Sequence, residues 1–122
     1  MLMAEEQLRK LREKIVKCWG KDTSYTHSEG SRGQCYVTAL LVYKCCQGEI
    51  RHGYIEFNGK REHHFWNMTF DYFEVDFTSD QYGGDGFKPI INGETYYKVP
   101  NFTNPRFLKL LERFLDLNKQ TN

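Results

Sequence analysis

Apolar positions recur at three- and four-residue intervals near both ends of the chain, run together around residue 40, and alternate with polar ones after residue 49. Leu8, Leu11, Ile15, Cys18 and Trp19 share a face across residues 5–19, opposite Arg9, Lys10, Arg12, Glu13, Lys14 and Lys17. That spacing predicts an amphipathic helix with a solvated charged side. A second stripe, Phe107, Leu108, Leu111, Phe114 and Leu115, follows Asn104 and Pro105, a cap and first helical residue. Residues 31–48 are apolar on nearly every side. With Ser31 as its cap and Gly48 at its end, this stretch predicts a central helix buried all round. Residues 20–33 are rich in Ser, Thr, Gly and charge and read as a loop leading into it.

After Gly48 the pattern becomes extended. Residues 50–57 and 61–68 flank Asn58-Gly59, the dipeptide suited to a tight hairpin turn, and a third strand is expected over residues 72–78. If Thr69-Phe70-Asp71 is a three-residue turn, Met68 pairs with Tyr72, Trp66 with Glu74, and His64 with Asp76, all on one face. His63, Phe65, Asn67, Phe73, Val75 and Phe77 make the greasier opposite face, which the two terminal helices are expected to cover. Residues 79–86 carry three glycines and suit a cleft border, and residues 87–99 read as a short hairpin or an irregular excursion. The expectation is one α+β domain over residues 1–122, a buried central helix packed on a small antiparallel sheet with flanking terminal helices.

Composition narrows the function classes. Lys and Arg number 17 against 16 Asp and Glu, so no bulk field points to nucleic acid or to an anionic membrane. Acidic residues near the start and the lack of a long apolar run predict a cytoplasmic protein without a membrane segment. The cysteines at 18, 35, 45 and 46 are expected to be reduced. Their spacing is not that of a zinc finger, and Cys45 and Cys46 lie roughly 15 Å along the helix from Cys35, too far for one ion. No metal site and no cofactor are implied.

Cys35 falls in the first turn of the central helix, where unpaired N–H groups and the helix dipole favour a thiolate. Thiol catalysis also needs an imidazole to take and return the proton, and a group to orient that imidazole. His64 and Asp76 are the candidates, with His63 as another imidazole and Asp80 or Asn67 as other orienting groups. A buried structural thiol and ordinary strand polar residues are the bland alternative. Gln34 and Gln81 are candidate oxyanion donors beside the Cys35 backbone N–H, and Trp66 is a candidate substrate contact or shield for His64.

Gly33-Gln34-Cys35 opening an apolar helix, Gly48-Glu49-Ile50, His64-Phe65-Trp66-Asn67, Glu74-Val75-Asp76-Phe77-Thr78 and Asp80-Gln81-Tyr82 together resemble the bacterial YunG-like family. The pattern spans roughly residues 19–82. Its Cys, His and Asp layout in turn resembles the papain-like superfamily, including NlpC-type peptidases and transglutaminase-like domains. That resemblance implies a papain-like fold, with Cys35 as nucleophile, His64 as general base and acid, and Asp76 as the orienting group. The activity expected is hydrolysis of an amide or acyl bond in a peptide, protein or small amide, by a peptidase, amidase or deamidase. An inactive papain-like module binding a peptide or protein partner is the alternative. Either a monomer or a homodimer fits.

Overall fold

The structure is a computed structural model that describes residues 5–120. Three helices, α1 (Glu5–Val16), α2 (Cys35–Cys46) and α3 (Pro105–Gln120), accompany four strands, β1 (Glu49–Phe57), β2 (Lys60–Met68), β3 (Glu74–Val75) and β4 (Glu94–Thr95). The strands form one antiparallel sheet in the order β3-β2-β1-β4. The fold is therefore a mixed α+β domain with helices packed against a small antiparallel sheet.

The β1–β2 hairpin follows directly from local chemistry. Asn58 and Gly59 adopt φ of 51° and 77°, the left-handed pair that matches the twist of two adjoining strands. Pairing runs from Phe57 with Lys60 to Glu49 with Met68 without a bulge. In α2, Val37, Thr38, Ala39, Leu40, Leu41 and Val42 are all buried, so the middle of the helix meets protein on every side, as its apolar run requires. Ser31 does not cap it. Gln34 occupies the cap position without a side-chain hydrogen bond to the helix, while Ser31 lies in the preceding turn with its carbonyl accepting the Gln34 N–H at 3.1 Å.

Two expectations about the sheet need correction. The turn after β2 spans residues 69–73, closed by the Thr69 N–H on the Phe73 carbonyl at 3.0 Å and by Tyr72 at φ 66°. Consequently Met68 pairs with Glu74 and Asn67 with Val75, a register two residues away from the expected one, and β3 ends there. The second correction concerns the layer over Phe65 and Asn67. Helix α2 covers that face, with the Asn67 amide donating to the Ala39 carbonyl at 2.9 Å and Tyr36 edge-on to Phe65 at 4.9 Å. Instead α3 packs on α2, and α1 packs on α3. Leu8, Ile15, Leu40, Phe107 and Leu110 are enclosed in the resulting core, where truncating any one large aliphatic side chain costs ~2–5 kcal/mol.

On the opposite face Trp66 is buried beneath the return from residue 90. A side chain at Gly93 would collide with its ring and one at Gly53 would press on it at 3.2 Å, so both backbones lie against the indole. Residues 87–99 are thus an excursion whose one regular piece, β4, pairs Glu94 and Thr95 with His52 and Arg51.

Candidate functional site

The loop of residues 20–34 is fastened before it delivers Cys35. Gln34 is fully buried, donating its amide to the Gly20 carbonyl at 3.0 Å and accepting from Thr23 Oγ1 at 2.8 Å. Gly33 has φ 77°, and a Cβ there would land on Ser24 Oγ and Thr26 Oγ1, so the backbone can pass only as glycine. Cys35 follows as the first residue of α2. It is half-buried and lines a cavity of 610 Å³.

His64 comes from β2 and has no exposed surface. Its Nε2 lies 2.6 Å from Asp76 Oδ2, although the shifted register makes the two residues diagonal rather than directly opposed neighbours. Diagonal side chains on one face of a sheet lie within reach of each other. Asp76 is fixed in turn: its Oδ1 accepts the Thr78 N–H at 3.1 Å, and its own N–H donates to the Phe87 carbonyl at 2.8 Å. A carboxylate on Nε2 assigns the hydrogen to that nitrogen and leaves Nδ1 as the basic one in the neutral ring. Nδ1 has no hydrogen bond of regular geometry, and the Cys35 thiol is the second group that favours charge on the ring. Burial works against that charge, but the Asp76 hydrogen bond and the pull of Cys35 outweigh it and raise the His64 pKa to about 9. Trp66 stacks on the imidazole at 5.5 Å and Tyr82 meets it edge-on at 5.1 Å, closing the ring off from water.

The remaining expected residues separate by what their polar atoms already do. The Gln34 amide is spent on the loop, so it clamps rather than donates to a ligand. Gln81, in the 3-10 turn Ser79–Tyr82, lines the cavity with Cys35. Its Oε1 accepts from Gly33 N–H at 3.2 Å, which fixes the amide orientation and leaves a buried Nε2 with no acceptor. Trp66 does not line the cavity, and its indole N–H goes to Glu74 Oε1 at 2.7 Å, so it walls the imidazole without facing a ligand. Among the alternatives, His63 stands on the other face and shares a 2.7 Å contact with His52. Asp80 pairs with Arg12 at 3.1 Å, and Asn67 is held by α2. Only Asp76 of the three orienting candidates bonds His64.

Sequence reasoning missed the charged wall of the cavity. Arg32 grips Glu62 with both guanidinium nitrogens, and the Tyr82 hydroxyl donates to Glu62 Oε1 at 2.8 Å. The Arg32 hydrogen bonds hold the Glu62 carboxyl below its ordinary range, while burial pushes the Tyr82 phenol up. No local motif marks these residues, because strand, loop and turn contribute one each. All four cysteines are free. Burial raises the Cys18 and Cys46 pKa values, the latter to about 11. Among the described residues no group of His, Cys, Asp and Glu suits a metal ion, and no helix is long and apolar enough to cross a membrane.

The class defined by these features is a small α+β domain with a buried histidine–carboxylate pair and a helix-borne thiol that borders a cavity. Residues 7–117 match the YunG protein family, and the chain belongs to that family. The match takes in most of both terminal helices, well beyond the motifs of residues 19–82. No curated protein and no solved structure matches the chain.

Proposed function

We propose that this protein is a cysteine hydrolase of papain-like type, acting on an amide or related acyl bond. The observation that carries the reading is the His64 ring, bonded to Asp76 at 2.6 Å through one nitrogen and acted on by Cys35, the thiol that borders the cavity. His64 Nδ1 takes the Cys35 proton, and the sulfur adds to the substrate carbonyl. The Cys35 backbone N–H is the donor at hand for the oxyanion, and Gln81 Nε2, enclosed in the resting fold, is the second once its amide turns toward the cavity. His64 then returns the proton to the leaving nitrogen as the C–N bond breaks. Water, deprotonated by the same ring, splits the thioester and the proton goes back to sulfur. Asp76 holds the tautomer and offsets the charge on the ring throughout.

One observation favours a second reading, a domain of the same shape that binds a peptide or protein without turnover. His64 has no exposed surface, so its proton reaches a leaving group only past the sulfur. Alkylation by iodoacetamide, mapped peptide by peptide, tests the hydrolase. Cys45 is exposed but burial of its sulfur raises its pKa, so N-acetylcysteine is labelled alongside it as the ordinary thiol. Cys35 is expected to react at least ~10-fold faster than N-acetylcysteine at neutral pH, and His64→Ala to abolish that advantage. Equal rates for Cys35 and N-acetylcysteine, or an advantage that survives His64→Ala, would overturn the reading.

A further inference from the structure

The cavity beside Cys35 carries an uncompensated positive charge. Its charged walls are Arg32, Lys60, Arg61, Glu62 and Arg106, and the single acid is tied to Arg32. Lys60 and Arg61 are exposed, so solvent screens them. Arg106 is different. It is half-buried, its guanidinium sits over the Tyr25 ring at 5.1 Å, and its enclosed Nη1 has no acceptor. Its place also runs against the local field, because it is the second residue of α3, where the helix dipole disfavours a cation. Asn104, which also borders the cavity, caps that helix by accepting the Arg106 N–H at 2.9 Å. A guanidinium that borders the cavity and pairs with no acid among the described residues, at the positive end of a helix, is complementary to a carboxylate.

We infer that Arg106 binds a carboxylate on the acyl donor, so that the substrate is an anionic amide or ester and neutral analogues are discriminated against. The inference rests on Cys35 being the attacking group, but its test needs no turnover. Cys35 is modified with N-carboxyalkyl maleimides of increasing chain length and with the matching neutral carboxamides, and the acid-to-amide rate ratio is read at each length. The ratio cancels the intrinsic reactivity of the thiol. At the best-matched length the acid is expected to react about 10-fold faster, with the ratio falling to near one in Arg106→Gln and remaining in Lys60→Gln. Arg106→Met, which keeps an unbranched chain against Tyr25, gives the same readout if the Gln variant does not fold.

Competition identifies where the carboxylate sits. N-acetylglutamine carries it at the α position and N-acetylglutamate α-amide on the side chain. At least one of them is expected to slow labelling of the wild type but not of Arg106→Gln, while uncharged N-acetylglutamine amide slows neither. A ratio near one at every length, a ratio that survives loss of Arg106, or equal protection by the neutral amide overturns the inference. If Cys35 is no more reactive than N-acetylcysteine yet the ratio depends on Arg106, the hydrolase fails and the anion site stands. Fast labelling without charge preference gives the converse.

Discussion

Raising the pH should unload the His64–Asp76 pair and weaken the fold over a window set by the histidine. The ring titrates near 6.5 when unconstrained and near 9 in the folded protein. Below 6.5 both states hold the proton and the stabilisation is complete. Between the two values only the folded state keeps it, so stability falls as pH rises, and above about 9 the contribution is gone. At ~1.4 kcal/mol for each tenfold difference in proton affinity, the loss is ~3 kcal/mol, a large share of the ~5–15 kcal/mol that holds a domain together. Urea titrations at successive pH values, followed by tryptophan fluorescence because Trp66 stacks on the ring, should show the midpoint falling by ~1–2 M between pH 6 and 9.5. Asp76→Asn removes the carboxylate that holds the proton and should flatten the slope. Cys46 adds its own loss, since its pKa is pushed from 9.0 to about 11, but that loss begins only as the pH passes 9.0. A wild-type midpoint that stays level from pH 6.5 to 8.5, or an Asp76→Asn variant with the same slope as wild type, would refute the reasoning.

Glu62→Gln breaks the charged hydrogen bonds to Arg32 and weakens that to Tyr82, at a cost of ~1–2 kcal/mol for half-buried partners. Its Tm at neutral pH should drop by ~4–8 °C. Because the Glu62 carboxyl titrates below its ordinary 4.5, its stabilisation is present above that value and lost as pH falls through the depressed one, so the gap to wild type should close in acid. Circular-dichroism melts check both points, and equal Tm values at pH 7 would count against the ion pair. Gly33→Ala must place a Cβ on Ser24 and Thr26 at a left-handed backbone position, costing ~1–3 kcal/mol. A urea titration showing a loss below ~0.5 kcal/mol would mean that the turn before Cys35 can relax.

The parts of the fold legible in the sequence are those governed by neighbours along the chain. Asn58-Gly59 names its own turn, and the stripe of α1 names its own buried face, whereas α3 turns Phe107, Leu110 and Phe114 inward and leaves Leu108 and Leu115 of the expected stripe exposed. The turn after β2 was not legible, because its length depends on Thr69 reaching Phe73 and on Tyr72 taking a positive φ, neither of which its residue types require. Ser31 has the right chemistry for a cap, but the chain makes another turn before the helix begins, and Gln34 takes that position with its side chain engaged elsewhere. Arg106 escaped notice for a related reason. It reads as one more cation on an amphipathic helix until folding brings the start of α3 to the loop that carries Tyr25.

The expected contact between His64 and Asp76 survived the error in register because of the size of that error. Side chains alternate faces along a strand, so a slip of two residues moves Asp76 along the sheet and leaves it on the face of His64. A slip of one would have sent it to the other side. Backbone bonds beyond the end of β3 then fix the carboxylate: Asp76 N–H on Phe87 and Thr78 N–H on Oδ1 hold it where the ladder no longer does. A buried ion pair of this kind is a poor way to stabilise a fold, since apolar side chains of similar size do as well or better. A fully enclosed imidazole bonded to a carboxylate thus calls for a reason other than stability, and the proton transfer proposed between His64 and Cys35 supplies one.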